Sequence, residues 1–352
     1  MSSERRPTLR EVAERAGVSI GTASGVLSDK GSASRETKAA VVAAAEELGY
    51  TRRPRQSTRA AGSALTTAGI LARRLHFPSP GNPFYMEVLN GAQRACADLG
   101  IALTLETVED ADDRQLPLIV ARRQAQGLLI LGSLDDRFIR RLLDAGTPCV
   151  TVDHTVEDLP VDCVRSEDEH GGYLATRALL DLGHTDPPPA MIVGLPELRP
   201  LADRVAGYRR ALAERGLRVP PRYVQRSADL SFPAGRAAMD QLLDLPTPPT
   251  AVFASNDSTA LGALEALRTR GIAVPEQCSV IGYDDMEMAS HSPPPLTTVH
   301  VDIDLLGAQG IWHLVQRVAA PAMTRRVTCL GVRLVTRDST APPPQQRSRS
   351  AG

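Results

Sequence analysis

At 352 residues the chain has room for about two domains, one large unit with a smaller companion, which excludes a single small module. Hydrophobic residues make up 42% and charged residues 23%, proportions that exclude collagenous, coiled-coil and wholly disordered chains. The 40 basic and 41 acidic residues leave a net charge of -1, so global charge points to neither nucleic acid nor an anionic membrane. Its distribution is uneven. Residues 1–62 carry +4 and the remainder -5, and between Tyr50 and Gly62 four arginines stand without an acid. That asymmetry marks either a nucleic-acid-binding arm or a solvated linker. The five cysteines have no CxxC or Cys/His spacing and read as small buried hydrophobes in a reducing compartment. The opening MSSERRPTLREVAE has no apolar signal core, and no window approaches about 18 consecutive apolar residues. The sequence therefore predicts a cytoplasmic protein with no membrane partner.

Three short helical patterns come first. Thr8 followed by Glu11 is a capping-box arrangement, after which Leu9, Val12, Ala13 and Ala16 share one face. Gly17 stops that helix, Val18 plugs the small core, and Ser19 caps a second helix over Ile20 to Ser28 with Thr22 in its first turn. A third helix, capped by Ser34 and carrying Val41, Val42, Ala45 and Leu48, ends at Gly49-Tyr50. The polar, basic stretch TRRPRQSTRAAGSALTT reads as a linker with a short helix at Arg55 to Ala61. From Ala68 the pattern becomes buried strand followed by helix: AGILA and Glu87–Leu99, IALTLETV and Arg114–Arg123, GLLILG and Arg137–Ala145, CVTVD and Gly171–Leu182. After the breaker LGHTDPPP it returns as AMIVG and Arg204–Arg215, VQRSADL and Gly235–Leu243, AVFAS and Ser258–Arg270, then CSVIGYDD. Continuous apolar strands alternating with helices predict two α/β lobes of doubly wound parallel sheet. Beyond Thr340, PPPQQRSRSAG lacks apolar residues and reads as a disordered tail.

No P-loop or GxGxxG follows the first strand, and no HExxH, GxSxG or paired-carboxylate motif occurs. Cofactor, metal site and enzymatic activity are accordingly not expected, and His184 in LGHT reads as a structural helix-end residue. Polar residues gather instead at carboxyl ends of strands, where doubly wound sheets bind ligands. Asn256 and Asp257 follow AVFAS, Asp284 and Asp285 follow VIGY, Asp168 and His170 precede Gly171, and Arg204 opens a helix. Such groups suit a polyhydroxylated ligand, whose hydroxyls need donors and acceptors in fixed directions. The alternatives are that Asp257 and Asp285 cap helices and that Arg204 sits in a surface ion pair.

The stretch TLREVAERAGVSIGTASGVLS, continuing through ASRETKAAVVAAAEELGY, resembles the DNA-binding headpiece of the lactose-repressor (LacI/GalR) family of bacterial transcription regulators. NPFYMEVLNGA, DEHGGYLATRALLDLGH, ADRVAGYRRAL, AVFASNDSTALGALEALRTRGIAVPEQCSVIGYDD and PPLTTVHVD resemble blocks of its core, so the likeness runs from residue 8 to about 339. It implies an all-α helix-turn-helix headpiece (residues 1–50), a hinge or linker (51–66), a two-lobed periplasmic-binding-protein-like core that binds a small effector and dimerises (67–340), and the tail (341–352). The implied partners are double-stranded operator DNA, a small-molecule effector, of sugar-like class, and a second copy of the chain.

The resemblance also marks departures on the reading head. Ile20, Gly21 and Gly25 occupy positions that usually touch base edges, and glycine has no side chain with which to donate or accept. Thr8, Ser19, Thr22 and Ser24 remain for DNA contact, the last three toward phosphates, which position without reading sequence. If two residues are inserted after Tyr50, Pro54 takes the family proline's place, Arg55 the asparagine's, Arg59 the arginine's and Ala61 that of the leucine wedged into the minor groove. A methyl group is a poor wedge. Without the insertion, Arg59 falls at the wedge position. In the core, Arg204, Asn256 and Asp284 match positions that hold effector hydroxyls in sugar-responsive relatives, and Phe84 and Tyr85 match the loop that closes the pocket. Leu230 stands where an aromatic ring often stacks on a sugar or purine. Glu167-Asp168 replaces the commoner Asp-Asn pair and makes that wall, with His170 beside it, more acidic. The reading is a small-molecule-controlled repressor; the alternative keeps the fold with weakened DNA binding and acts as a small-molecule-binding protein.

Overall fold

The computed structural model describes residues 9–19, 22–23, 26, 34–48, 65–74, 83–109, 115–195 and 198–344. These belong to two compact units that divide after Gly62. In the first unit, α1 (Leu9–Arg15) and α2 (Arg35–Glu47) enclose a core of Val12, Ala13, Ala23, Val41, Ala44 and Ala45. Gly17 takes a left-handed φ of 65°, which ends α1 and turns the chain. Ser19 Oγ then accepts from the Thr22 N–H at 3.0 Å, and Thr22, Ala23 and Val26 are helical. Ser34 Oγ caps α2 in the same way, accepting from Thr37 N–H at 3.2 Å. Arg15 pairs with Glu47 across the unit. Val42 departs from expectation: it is 45% exposed, because Val41, Ala44 and Ala45 already fill the buried stripe of the helix. Thr8, Ile20, Gly21, Ser24, Gly25, Arg55, Arg59 and Ala61 lie outside the described residues, as does the helix expected over 55–61.

The second unit holds two six-stranded sheets. In the first lobe β1 (Thr67–Arg73), β2 (Ala102–Val108), β3 (Gly127–Leu131), β4 (Cys149–Val152) and β5 (Asp162–Ser166) are joined by the later β11 (Val327–Leu330) in the parallel order β11-β5-β4-β3-β1-β2. In the second, β6 (Ala190–Gly194), β7 (Val224–Ser227), β8 (Ala251–Ala254), β9 (Ser279–Asp284), β10 (Thr297–His300) and β12 (Arg333–Val335) run β12-β10-β9-β8-β6-β7, parallel except for the antiparallel β10–β12 pair. Central strands such as GLLIL and AVFA are buried throughout, as a sheet covered on both faces requires.

Helices α3 (Phe84–Leu99), α4 (Leu118–Ala121), α5 (Asp136–Asp144) and α11 (Ile303–Ala319) serve the first lobe, and α6 (Asp168–Asp181), α7 (Arg199–Glu214), α8 (Phe232–Leu243) and α9 (Asp257–Thr269) the second; α10 (Glu287–His291) is a short turn after β9. Three helix pairs meet backbone to backbone through facing glycines: Gly91 with Gly307 on α3 and α11, Gly172 with Gly207 on α6 and α7, and Gly235 with Gly262 on α8 and α9. A Cβ at any of the six would strike a carbonyl oxygen of the partner helix.

The chain passes between lobes three times: after β5, between β10 and α11, and between β11 and β12. At the start of β5, buried Asp162 accepts from Arg317 Nη2 at 2.6 Å, Arg317 Nε at 3.1 Å and the Arg326 N–H at 2.8 Å. Several expected boundaries shift. The helix expected over 114–123 shortens to α4, which begins after Pro117 and ends where Arg123 takes a φ of 51°. Pro200 in the first turn moves the start of α7 back to Arg199, so Arg204 does not open that helix but lies in its second turn. The strand expected over 224–230 stops at Ser227. Ordered hydrogen bonding also extends past Thr340: Ala341 N–H donates to Ser279 Oγ at 3.0 Å, and its carbonyl accepts from the same hydroxyl at 3.0 Å and lies 2.9 Å from His184 Nε2.

Candidate functional site

Both lobes repeat the order 2-1-3-4-5 in their first five strands, and in such sheets the loops at carboxyl ends diverge around a crevice. Here the two crevices face one cavity of ≈ 330 Å³, at the small end of the about 300–1,000 Å³ usual for small-molecule sites. The first lobe contributes Phe84 and Tyr85 from the start of α3, Ser133 after β3, and Asp153 and His154 after β4. The second contributes Leu195 after β6, Leu198 to Leu201 and Arg204 from α7, Ala228 to Ser231 after β7, Asn256 after β8 and Asp284 at the end of β9. Three non-glycine lining residues hold positive φ: Asp153 (62°), Leu195 (46°) and Asp284 (108°). Backbone strain of this kind costs about 1–3 kcal/mol per residue and concentrates at functional sites.

Arg204 is the centre of the polar wall. Its side chain is buried, with Nε donating to Asp168 Oδ1 at 2.8 Å, Nη1 donating to the Ser255 carbonyl at 2.6 Å and lying 3.5 Å from Asp284 Oδ1. The guanidinium carbon sits 3.6 Å from the centre of the Tyr283 ring, so the plane is fixed by stacking as well as by hydrogen bonds. Burial opposes the charge, but Asp168 and Asp284 hold the guanidinium above its ordinary pKa. Nη2 carries no hydrogen bond among the described residues, which leaves one donor edge for a ligand.

The carboxylates respond in the opposite sense. Burial, above all, pushes Asp153 up to about 7, with Asp168 and Asp284 adding to the effect against the pull of Arg204 and Tyr85. Burial also raises Asp284 well above the carboxylate range, Arg204 opposing it. Tyr85 donates to Asp153 Oδ2 at 2.9 Å, and Oδ1 is buried with no partner among the described residues. Asn256 serves two neighbours at once. Its Oδ1 accepts from Thr259 N–H at 3.2 Å, capping α9, and its Nδ2 donates to the Leu230 carbonyl at 2.9 Å. Asp257, read as either a ligand group or a cap, is neither; it accepts from Thr298 Oγ1 at 2.6 Å and Met286 N–H at 2.8 Å. Asp285 binds Arg337 and lies 2.9 Å from His300 Nδ1.

Of the eight core residues that the sequence marks as effector-binding, Phe84, Tyr85, Arg204, Leu230, Asn256 and Asp284 line the cavity. Asp168 stands behind it, holding Arg204. His170 does not belong. It is exposed and stacks on Tyr173, with ring centres 6.3 Å apart, because two residues along a helix is about 200° of rotation and Asp168 already faces inward. Asp153, His154, Leu195, Leu198, Arg199, Pro200 and Leu201 join the site without being expected there, although Asp153 closes the strand CVTVD at the carboxyl end that the same rule addresses. Among the described residues no group of three His, Cys, Asp or Glu side chains is placed to hold a metal ion, and no helix is long and apolar enough to cross a membrane.

A small helical unit with a capped second helix, followed by two doubly wound lobes closing on a cavity with one polar and one apolar wall, defines the class: regulators that join a helix-turn-helix to a ligand-binding core. Residues 8–53 match the bacterial regulatory proteins of the lacI family, and residues 176–340 match the periplasmic binding protein-like domain. The chain belongs to the lacI family. Over 325 residues it is 36% identical to the ribose operon repressor of Escherichia coli (strain K12), spanning 91% of this chain and 95% of that one. Among solved structures, the transcriptional regulator CelR–cellobiose complex is similar at 31% identity and a TM-score of 0.69, over 95% of this chain and 100% of that one. The lac repressor dimer bound to operator and the anti-inducer ONPF is similar at 29% identity and 0.68, over 96% and 100%.

Proposed function

We propose that this chain is a transcriptional repressor, acting in the cytoplasm and without enzymatic activity, that binds operator DNA as a homodimer and releases or holds it when a sugar or sugar-like effector occupies the cavity. The observation that carries the effector half is Arg204, clamped by Asp168 and the Ser255 carbonyl with one edge left over, beside the under-partnered Asp284. Fixed donors and acceptors of this kind suit hydroxyls arrayed around a ring. Phe84, Leu195, Leu198, Leu201 and Leu230 supply an apolar wall for the ring's C–H face. The similarity to a ribose operon repressor and to a cellobiose-bound regulator supports the same ligand class. The DNA half rests on the headpiece match and on Ser19 and Thr22 at the start of the second helix, a place suited to phosphate contact.

The test begins with selection of an operator from a random DNA pool, followed by anisotropy titrations with and without a panel of monosaccharides. The reading expects nanomolar-class specific binding that at least one sugar shifts. A selected pool indistinguishable from random DNA would instead favour the form of this fold with weakened DNA binding, as Gly21, Gly25 and Ala61 suggest. No response to any sugar, with DNA binding intact, would remove the sugar assignment.

A further inference from the structure

The Asp284 side chain meets one partner among the described residues, Arg204 Nη1, and only at 3.5 Å. Its direction into the cavity is therefore set by the main chain beneath it, and that main chain is strained: Asp284 and Asp285 hold consecutive positive φ values of 108° and 60°. Two such residues in a row persist only where neighbours fix them from several sides. Asp285 is where the fixing occurs. Its Oδ1 accepts from Arg337 Nη2 at 2.5 Å, and its Oδ2 lies 2.9 Å from His300 Nδ1. Arg337 is itself held, Nη1 donating to the Leu296 carbonyl at 2.8 Å and its N–H to Thr297 Oγ1 at 2.9 Å. Ser339, fully buried two residues on, accepts from the Thr297 N–H at 2.8 Å and donates to the Val280 carbonyl at 2.6 Å, stitching this segment to β9 and β10. From the other side, Asp257 takes the Met286 N–H at 2.8 Å.

The two residues that grip Asp285 stand next to crossings between the lobes. His300 closes β10, pairs in register with Asp284 and is followed at once by the passage into α11. Arg337 follows β12, the strand that the chain enters on its return from the first lobe. A second cavity, of ≈ 450 Å³, lies on this side of Asp284, where Pro83 and Glu87 at the start of α3 face residues 284–288 and 300–304. The end of α3 that carries Phe84 and Tyr85 is thus not packed solid against this crossing, and the lobes have room to move there. We infer that Arg337 and His300 are positioning residues: through Asp285 they aim the Asp284 carboxylate at the effector and tie it to two of the three crossings, so that occupancy of the cavity is felt where the lobes hinge. This deepens the reading of the cavity as a sugar-class effector site and rests on it. Neither Arg337 nor His300 lines that cavity, which separates their role from that of a ligand contact.

The experiment is calorimetry of the full chain with ribose, glucose, galactose and mannose, followed by anisotropy on the selected operator with and without the tightest-binding of these sugars. Arg337→Met keeps an apolar stem and loses the charge. It should weaken binding of that sugar about tenfold and shrink the operator shift at saturating sugar, with Arg337→Lys recovering part of both. Asp285→Asn should do the same, and the double variant should be no worse than the weaker-binding single, because both substitutions break one contact. An Arg337→Met protein that melts at a lower temperature yet binds sugar and shifts on the operator as wild type does would make Arg337 a structural residue only, overturning the inference while the sugar reading stands. Losses that add in the double variant would overturn it too. Where Arg337→Met does not fold, His300→Ala decides: it removes the partner of the other carboxylate oxygen from a side chain that is 33% exposed, and unchanged sugar affinity would overturn the inference. Wild type that binds none of the four sugars would overturn the sugar reading, and this inference with it.

Discussion

Arg204 carries two loads, and its removal separates them. Arg204→Ala would strip the buried Asp168 of its counter-charge and leave Asp284 with no partner, an unpaired-charge penalty of about 3–5 kcal/mol. Urea denaturation should therefore show a large loss of core stability together with loss of effector response, whereas a residue serving only the ligand would lose response alone. An unchanged midpoint would mean that Arg204 is not the keystone of this wall. Asp257 supports a second prediction, because burial pushes its carboxyl up to about 7. The unfolded carboxyl titrates near 3.9, so between these values the folded state holds the extra proton. Its contribution is fully present below about pH 4 and is lost as pH rises through about 7. The melting-temperature advantage of wild type over Asp257→Asn should accordingly fall between pH 5 and pH 8, and a rising advantage would contradict the assignment. At this scale the sequence tells residue type better than direction. Asp284 and Asn256 follow apolar strands and are legible by position; His170 shares a helix start with Asp168 but points away, which only the helical angle decides.

The glycine pairs act at the level of elements. Gly172 on α6 lies against the main-chain carbonyl of Arg204 on α7, so the helix contact itself sets the depth of the guanidinium. Gly172→Ala should push the two helices apart, costing about 1–3 kcal/mol for overpacking or more, and should weaken sugar binding even though residue 172 touches no ligand. Thermal melts with and without sugar would check it: equal stabilisation of variant and wild type by the sugar would disconnect helix packing from the site. Strands of continuous apolar residues are legible because burial on both faces leaves no other composition, as in GLLIL and AVFA. DCVRS is not, since β5 buries Asp162 and Ser166, and Asp162 is tolerated there only because Arg317 and Arg326 arrive from more than 150 residues away. The helix IDLLGAQGIWHLVQRVA is equally hard to read; its Gly307 and Gly310 look like breakers, and their purpose is visible only when α3 is seen lying against one of them. Strand alternation and the double lobe can be read locally, while the three crossings cannot, since they depend on partners remote in sequence.

For the whole molecule, if few side chains of the headpiece read bases, two copies on one DNA site are needed to reach useful affinity. Light scattering at micromolar concentration should give about twice 37.7 kDa, and a persistent monomer or a dominant tetramer would count against the dimer. If Ile20, Gly21 and Gly25 hold the reading positions, affinity should fall steeply with salt, each phosphate neutralised by a hinge arginine adding a slope of about -0.9 in log K against log salt. Replacing Arg52 and Arg53 by alanine should flatten that slope, and an unaltered slope would take those arginines off the DNA.

The late arrival of β11 and β12 governs how the protein must be made. A nascent chain that has emerged as far as β10 owns five strands of each sheet, yet α3 and the face of β3 to β5 still await α11, and both sheet edges await strands from residues 327–335. The first lobe, although synthesised first, is thus completed almost last, and its apolar surface stays uncovered while the whole second lobe is still leaving the ribosome. Such long-range closure is slow and exposes sticky surface to other chains. Stalled or truncated products ending before Ile303 should therefore be captured by chaperones or aggregate rather than accumulate as a folded amino-terminal lobe, so messages broken ahead of that point would yield no partial repressor to compete for operators.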